Sequence, residues 1–453
     1  MSIIQPRVLK GFRDCLPDEM IPKQKMIKNL VNTFSSFGFN PIDTPSLEYT
    51  EILLGKGSGE TDKQLYRFQD HGGRDVALRF DLTIPLARFI AQNYHKITFP
   101  FKRFHIAQVW RGENTQKGRF REFYQCDFDI LGSDTVQGDF EIVFLIATAL
   151  HNLKINDFLI CINHRNLLNA LLQKLDLVDK STIILRIIDK LPKIGQQSVV
   201  DALQNEASIP ESVCQNIIQF ISLKGKKDII EKCESILKNI GKSEDDSNDQ
   251  IPEKGKKAIS DLEKIITFFQ EVGLEENIII DLSIARGLDY YTGLVFETIL
   301  KNNTNYGSIC SGGRYENLVS LYSKSVVSGV GASIGLDRLC SALEDRNELG
   351  KEKSVSQILI FNLDDQYSGN YQNLANSLRK KGFNTEVFLN KRKLDAQFKY
   401  AEKLNIPIGI FAGETEIKTN TYALKNLKTR DSYDKLSLED LEEKIRHELE
   451  KNC

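Results

Sequence analysis

Six positive side chains stand close together in one short segment of the chain, where they could bind phosphate groups. The charged residues between positions 101 and 121 are Lys102, Arg103, Arg111, Lys117, Arg119, Arg121 and the single acid Glu113. Arginines held on strands can bind phosphate oxygens through paired hydrogen bonds, whereas lysine supplies only a point charge. The segment therefore predicts a focused anion site, such as one for a polyphosphate.

Polar and apolar side chains alternate in three segments between residues 76 and 130, as they do on β-strands. The polar sets are Arg79, Asp81 and Thr83; Arg111 and Glu113; and Arg121, Gln125, Asp127 and Asp129, with Phe123 among the last. A solvated face would usually carry Lys and Glu. Arg, Gln and Asp around an aromatic ring favour a ligand-binding platform.

Two glycine-containing motifs add further arginines and tyrosines. RGLDYYTG at residues 286–293 is typical of a tight loop that contacts a ligand, although its tyrosines could equally cover the edge of a core. Residues 329–338 run from glycines into a helix that carries Arg338 in its first turns. The three glycines at residues 55–59 lack the Walker spacing and indicate a flexible loop.

The second and third alternating segments must form an antiparallel hairpin. Only residues 114–119 separate them, and a crossover between parallel strands needs about a dozen residues or more. An antiparallel sheet can bury one face against helices and present the other to a ligand. We therefore expect the polar face of this hairpin to form the binding platform.

The rest of the chain divides into regions of different character. Residues 165–275 show helical periodicity around a polar run at 241–249, which predicts a helical domain inserted between two parts of one sheet. From residue 355, strands alternate with helices, as in an α/β domain. The predicted domains are 1–164 and 260–350 for a split catalytic core, 165–259 for the insertion and 355–453 for the C-terminal domain.

Composition limits the kinds of protein that this chain can be. Its 453 residues suggest two or three domains, and 60 Lys and Arg against 62 Asp and Glu exclude a generally basic, nucleic-acid-coating surface. The eight cysteines are scattered, so we expect neither a metal-binding side-chain cluster nor a disulfide framework. No apolar run approaches the roughly 20 residues of a membrane span, and we expect a cytoplasmic protein.

Several motifs resemble those of histidyl-tRNA synthetases, the class II aminoacyl-tRNA synthetases for histidine, over nearly the whole chain. The matching stretches are KGFRD at 10–14, FGFNPIDTP at 37–45 (motif 1), residues 111–132 (motif 2), RGLDYYTG at 286–293, GGRY at 312–315 and GASIGLDR at 331–338 (motif 3). The resemblance implies an α+β catalytic core on an antiparallel sheet with a helical insertion, plus a C-terminal α/β anticodon-binding domain.

The resemblance implies a histidine–tRNA ligase that works in two steps. L-histidine and ATP first give histidyl-adenylate and pyrophosphate, and histidine then passes to the 3′ end of histidine tRNA. The implied catalytic residues are Arg286, Arg111 and Arg338. ATP and the carboxylate of histidine are both negatively charged, so a site that brings them together needs such positive side chains to neutralise their charge.

The same resemblance assigns residues to ATP. The implied set is Arg111, Glu113, Arg119, Arg121, Phe123 and Arg338. Arg111 is expected to hold the α-phosphate, Phe123 to stack on adenine and Glu113 to contact the adenine amino group. Arg338, with Arg119 or Arg121, is expected to hold the β- and γ-phosphates, which Mg²⁺ bridges.

A second implied set binds histidine. It comprises Asp81, Leu82, Thr83, Arg111, Gln125, Asp129, Arg286, Tyr290 and Tyr291. Asp129 and Tyr291 are expected to read the imidazole ring, while Asp81, Thr83 and Gln125 receive the α-amino group. A site built on such hydrogen bonds rejects analogues that lack them by about 10⁴- to 10⁵-fold, so no editing domain is expected.

The resemblance also implies macromolecular partners. The hairpin tip resembles the loop that meets the tRNA acceptor end, with Gln116 and Lys117 as candidate contacts, and motif 1 implies a homodimer. Two alternatives remain open: a non-catalytic paralogue and an unrelated ATP-dependent ligase. Retention of Arg286 and Arg338 argues against the first, and the tandem tyrosines without a phosphate-binding loop argue against the second.

Overall fold

The computed structural model describes residues 3–55, 64–240, 250–284, 291–302, 304–390 and 392–451. Contacts divide the chain into two compact units. One comprises Met1–Arg13 and Met26–Glu348, and the other comprises Asp14–Lys25 and Leu349–Cys453. Each unit has its own sheet.

Both units contain helices and strands. The strands are β1 (Asn40–Pro41), β2 (Leu47–Tyr49), β3 (Arg67–Gln69), β4 (Asp75–Leu78), β5 (Phe101–Trp110), β6 (Glu122–Leu131), β7 (Phe158–His164), β8 (Lys224–Gly225), β9 (Ile278–Asp281), β10 (Tyr291–Leu300), β11 (Cys310–Tyr315), β12 (Gly329–Gly335), β13 (Ile358–Ile360), β14 (Thr385–Val387), β15 (Ile408–Phe411), β16 (Tyr422–Asn426) and β17 (Ser432–Leu436). The α-helices are α1 (Pro17–Ser36), α2 (Thr50–Leu54), α3 (Thr83–Asn93), α4 (Val136–Asn152), α5 (Arg165–Lys174), α6 (Ser181–Ile188), α7 (Leu191–Ala207), α8 (Glu211–Ile221), α9 (Asp228–Asn239), α10 (Glu253–Glu271), α11 (Leu336–Asp345), α12 (Ser368–Lys380), α13 (Leu394–Lys403), α14 (Glu414–Thr419) and α15 (Leu438–Lys451). Among the described residues, no helix combines the length and the apolar character that crossing a membrane requires.

A nine-stranded sheet forms the centre of the first unit, with strand order β1-β5-β6-β12-β11-β10-β7-β9-β8. Neighbouring strands from β5 to β7 pair antiparallel, while β1 and β9 add parallel pairs. β2, β4 and β3 form a separate small sheet. The predicted hairpin is confirmed, because β5 pairs with β6 from Phe101 opposite Leu131 to Trp110 opposite Glu122.

One face of the large sheet packs against helices through aromatic side chains. Phe34 of α1 contacts Phe104 of β5 and Phe128 of β6, with ring centroids 5.6 and 4.8 Å apart. Since side chains alternate along a strand, the even-numbered residues of β5 and β6 belong to this buried face. The odd-numbered residues, among them Arg103 and Asp129, lie on the opposite face.

The predicted strand through Arg79, Asp81 and Thr83 is wrong. β4 ends one residue before Arg79, and α3 begins at Thr83. Asp81 Oδ1 accepts a hydrogen bond from Ile84 N at 3.1 Å, which satisfies an amide at the start of the helix. The segment that connects β4 to α3 instead lies beside the end of β5, where Trp110 N donates a hydrogen bond to Arg79 O at 3.0 Å.

A buried ion pair joins β11 to α4. Arg314 Nε donates to Asp139 Oδ1 at 2.8 Å, and its Nη1 donates to Ser133 O and Ser328 Oγ, both at 2.7 Å. Burial raises the pKa of Asp139 to about 6, and the Arg314 guanidinium opposes that rise. The GGRY motif is thus divided by strand alternation, with Arg314 toward the helical face and Tyr315 toward the polar face.

The region predicted to be helical, residues 165–275, contains α5 to α10 and the short strand β8, which pairs with β9 at the edge of the large sheet. α10 packs against α4 and α5. Hence the region contributes a strand to the sheet as well as helices around it. The boundaries predicted for the insertion stay predictions.

The second unit alternates strands and helices as predicted. Its sheet has the order β14-β13-β15-β16-β17, with β13 parallel to β14 and β15 and the last pairs antiparallel. Ile358 and Ile360 belong to one hydrophobic cluster, and Leu359 and Phe361 belong to another. Successive residues of β13 therefore fill the core on both faces of the sheet, as expected for a central strand of an α/β layer.

Candidate active site

Arg111 follows β5 directly and is held from several sides. Its backbone N donates to Arg121 O at 2.9 Å, and its Nε donates to Phe80 O at 2.9 Å. The guanidinium carbon lies 5.3 Å from the centroid of the Phe123 ring. Because these contacts fix the side chain on the hairpin, Arg111 presents a positioned positive charge on the polar face of the sheet.

A fully buried arginine lies farther along the same strand. Arg103 is 0% exposed, and its Nη2 lies 2.5 Å from Asp129 Oδ2 on β6. Tyr315 Oη donates to the other oxygen, Asp129 Oδ1, at 2.7 Å. Burial raises the pKa of Asp129, while Arg103 and the Tyr315 hydroxyl oppose the rise. Asp129 is therefore fixed in orientation by two partners on neighbouring elements.

Several buried oxygen atoms on this face have no hydrogen-bond partner among the described residues. They include Asp81 Oδ2, Gln125 Oε1, Asp127 Oδ1 and Ser333 Oγ. Burial raises the pKa of Asp81 to about 6 and that of Asp127 to about 7. Because a buried acceptor without a donor is costly, this group of atoms indicates a place for a hydrogen-bond-donating, positively charged ligand group.

The remaining residues predicted to bind the amino acid lie on neighbouring elements. Leu82 is completely buried before α3, and Thr83 is half-buried at its start. Tyr291 begins β10 opposite Tyr315, and its carbonyl accepts a hydrogen bond from Arg165 Nη1 at 2.7 Å. The structure thus brings Tyr291 next to the residue that orients Asp129. Arg286 and Tyr290 lie outside the described residues.

Arg121 is bound to the N-terminal segment of the chain. Its backbone N donates to Gly11 O at 2.8 Å, and its side chain donates to Glu113 O at 3.1 Å and Lys10 O at 3.3 Å. Gly11 has a positive φ of 88°, and a Cβ there would lie 2.7 Å from the Arg121 side chain. These contacts give Arg121 a bracing role in addition to its charge. Arg119 Nη1 lies 3.9 Å from Glu113 Oε2.

Arg338 projects from the first turn of α11. Its Nη1 donates to Ser308 O, which orients the guanidinium. The preceding residue, Asp337, accepts from Tyr124 N at 2.7 Å and from Arg13 Nη2 at 3.2 Å. The start of α11 is therefore fastened both to β6 and to the N-terminal segment, which sets the position of Arg338 relative to the hairpin.

The hairpin tip is docked against the end of α11. Gln116 and Arg119 exchange backbone hydrogen bonds of 3.3 and 2.9 Å. Lys117 Nζ lies 2.6 Å from Asp345 Oδ2, which also accepts from Tyr306 Oη at 2.7 Å. Hydrogen bonding to Asp345 raises the pKa of Lys117. Since the Lys117 side chain is 71% exposed, the ion pair is weak and can be exchanged for a phosphate contact.

Three buried residues of the site were not singled out by sequence reasoning. The sequence indicated Arg103 only as a member of the positive cluster, Tyr315 only as a member of the GGRY motif, and Asp127 only as a member of an alternating polar face. The register of the hairpin is the signal that could have found the first of them, because pairing β5 with β6 residue by residue sets Arg103 opposite Asp129. No group of three His, Cys, Asp or Glu side chains suited to a metal ion occurs among the described residues.

Comparisons with known proteins identify relatives of both parts of the chain. A family model described as histidyl-tRNA synthetase matches residues 11–339, and one described as an anticodon binding domain matches residues 357–448. The chain is 47% identical to the histidine–tRNA ligase of Treponema denticola, covering 90% of this chain and 89% of that protein. It is 43% identical to the histidine–tRNA ligase of Rhodopirellula baltica, covering 95% of this chain and 96% of that protein. The crystal structure of histidyl-tRNA synthetase from Nostoc sp. PCC 7120 superposes with a TM-score of 0.86 at 32% identity, covering 98% of this chain and all of the other.

Proposed function

The chain belongs to the histidyl-tRNA synthetase family, and from this premise we propose how its residues carry out the reaction of a histidine–tRNA ligase. The enzyme activates L-histidine with ATP, forming histidyl-adenylate and pyrophosphate, and transfers histidine to tRNA(His). The observation that carries the assignment of the site is the polar face of the large sheet, where Arg111 lies on the same platform as the unpaired buried acceptors.

ATP is proposed to bind along the hairpin with its phosphates toward the arginines. Phe123 would stack on adenine, and Glu113 would contact the adenine amino group. Arg111 would hold the α-phosphate, supported by the hydrogen bond from its Nε to Phe80 O. The negative charge that develops during attack by the histidine carboxylate is best stabilised by such positioned donors.

The β- and γ-phosphates are proposed to lie toward the start of α11. Arg338 would bind them there together with Arg119 or Arg121, and Mg²⁺ would arrive with ATP as part of the substrate. Arg286 completes the proposed catalytic set by facing the α-phosphate opposite Arg111. Three guanidinium groups from three segments would then surround the triphosphate.

Histidine is proposed to bind across the polar face between α3 and β10. Asp129, held by Arg103 and Tyr315, would read the imidazole ring together with Tyr291. Asp81, Thr83 and Gln125 would receive the α-amino group. Tyr290 and Leu82 would line the pocket. The unsatisfied and preoriented polar atoms of this face support the arrangement.

Gly331→Ala is expected to raise the KM for histidine about tenfold or more without changing the KM for ATP. A Cβ at Gly331 would lie 1.9 Å from Asp129 Oδ1, so Asp129 has to leave its place between Arg103 and Tyr315. Steady-state pyrophosphate exchange measures both constants. Gly335→Ala on the same strand is the matched control, because the nearest atoms lie 3.8 Å from its added Cβ. An unchanged KM for histidine would contradict the assigned role of Asp129.

Transfer is proposed to use both units of the protein. The hairpin tip, through Gln116 and Lys117, would meet the acceptor end of tRNA(His) once Lys117 exchanges Asp345 for a phosphate. The region of residues 357–448 would bind the anticodon. We further propose that the enzyme is a cytoplasmic homodimer whose interface involves motif 1 at residues 37–45.

The deciding experiment measures pyrophosphate exchange and tRNA charging by the purified full-length protein. Exchange is expected to require both ATP and L-histidine, and radioactive histidine is expected to accumulate on tRNA(His). Other amino acids in place of histidine serve as the control. Absence of histidine-dependent exchange would refute the catalytic function and favour a non-catalytic paralogue.

A further inference from the structure

One buried acid of the polar face has no role in the proposed reaction. Asp127 lies between Gln125 and Asp129 on the same face of β6, so a ligand that contacts both neighbours has to pass over it. Its side chain is buried, with 2% of the residue exposed, and its Oδ1 has no hydrogen-bond partner among the described residues. The Ser333 hydroxyl on the neighbouring strand acts on this carboxyl group as a hydrogen-bond donor, and a carboxylate oxygen with no partner at hydrogen-bond distance can also accept from a bound molecule or water.

The charge of the unpaired acceptors indicates the kind of donor. Asp81 Oδ2 and Gln125 Oε1 share the condition of Asp127 Oδ1. The carboxylate of Asp81 also raises the pKa of Asp127, so the two acids are close enough to interact. An ammonium group carries three N–H donors and one positive charge. It therefore suits a group of acceptors that includes two carboxylates.

We propose that Asp127 is a substrate-contacting residue that joins Asp81, Thr83 and Gln125 around the α-ammonium group of histidine. This inference rests on the proposed function and adds a specificity residue to it. Two carboxylates around one ammonium discriminate strongly against ligands without that charge, because their buried oxygens would then remain unpaired. Asp127 makes the pocket select an amino acid over the corresponding acid without the amino group.

The surroundings of Asp127 set the pH range in which it can bind a cation. The charged or titratable groups that act on it or lie beside it are Arg79, Asp81, Arg103, His105, Asp129 and Cys310, with Ser333 as a polar cross-strand neighbour. Burial is the main cause that raises the pKa of Asp127 to about 7, while Arg103 opposes it. The pKa of His105 is lowered to about 4, mainly by burial, so its ring stays neutral at neutral pH.

The ionised fraction of Asp81 and Asp127 increases as the pH rises through their pKa values of about 6 and about 7. The ammonium binds the ionised form, so histidine affinity is expected to rise over the same range, and binding between those two pKa values is expected to release protons. Imidazole-4-propionate, which is histidine without its amino group, has the same ring and carboxylate. The difference between the two ligands therefore isolates the ammonium contact.

The main test is the affinity of Asp127→Asn for these two ligands, measured by isothermal titration calorimetry at about pH 7.5, above the pKa of either acid. Histidine is expected to bind about 10- to 100-fold more weakly than to the wild type, whereas binding of imidazole-4-propionate is expected to be unchanged. Asp281→Asn is the matched control, since Asp281 lies on the same sheet in an ion pair with Lys224 at 2.8 Å. Equal losses for both ligands in Asp127→Asn would show a structural role only and overturn the proposal.

A measurement on the wild type covers the case in which Asp127→Asn does not fold. Titrations at about pH 6.5 in buffers of different ionisation enthalpy give the number of protons released on binding. After subtraction of the protons exchanged by the imidazole ring of each ligand, whose free-ligand pKa is titrated separately, histidine is expected to release more protons than imidazole-4-propionate, and equal release would overturn the proposal. Failure of the proposed function would look different, because the wild type would then show no histidine-dependent pyrophosphate exchange at all.

Discussion

Arg111→Gln is expected to lower the rate of histidine-dependent pyrophosphate exchange about 10³-fold. Glutamine keeps a polar side chain at the end of β5 but removes the positive charge that we propose for the α-phosphate. The hydrogen bond to Phe80 O and the contact with Phe123 hold this guanidinium in place before ATP binds. The loss should therefore be found mainly in kcat, because a preorganised charge acts on the transition state.

Two further variants make this prediction specific. Lys102→Gln removes a positive charge from the same strand on the opposite face, where Lys102 pairs with Glu141, and is expected to leave exchange unchanged. Arg111→Lys keeps the charge but loses the planar, paired geometry, so an intermediate rate is expected. A loss below about tenfold in Arg111→Gln would exclude transition-state stabilisation by this side chain.

Arg103→Met is expected to destabilise the folded protein by about 3 to 5 kcal/mol. Arg103 is 0% exposed and is the positive group that lowers the pKa values of both Asp127 and Asp129. Without it, three carboxyl groups including Asp81 share a buried face. Urea unfolding followed by circular dichroism measures the loss, and the Lys102→Met control is expected to cost less than about 1 kcal/mol.

The loss of folding stability caused by Arg103→Met is expected to depend on pH. A carboxyl group whose folded-state pKa lies above its unfolded value reduces stability as the pH rises between those two values. Removing Arg103 raises the folded-state pKa of Asp127 and Asp129 further, so the variant should be closer to the wild type at about pH 5 than at about pH 8. Adding Asp129→Asn should recover part of the loss. A deficit that neither changes with pH nor responds to Asp129→Asn would contradict this electrostatic explanation.

The hairpin and the second unit were predictable because their signals are local. Alternation in β5 and β6 and the short connection between them fix an antiparallel pair, and the strand–helix order after residue 355 fixes an α/β arrangement. The segment from Arg79 to Thr83 was not predictable in this way. It alternates like a strand, but α3 begins at Thr83 and Asp81 accepts a hydrogen bond from Ile84 N in the first turn, so a local side-chain to backbone hydrogen bond overrides periodicity.

The candidate site was predictable in composition but not in its pairing. The sequence indicates which residues share a face, whereas partners such as Arg103 with Asp129, or Tyr315 with Asp129, depend on the register between strands distant in the chain. The burial of a side chain also depends on strands that are distant in the chain. Nothing local to Asp127 tells that its carboxyl group is enclosed, because enclosure is produced by β5 and β12 on either side.

The binding of Arg121 and Asp337 to residues 10–13 has a practical consequence for protein engineering. A fusion partner or purification tag placed close to residues 10–13 is joined to a segment that supports the hairpin and the start of α11. Extensions used for immobilisation or labelling are therefore better kept away from residues 10–13, the segment that braces the proposed nucleotide-binding hairpin.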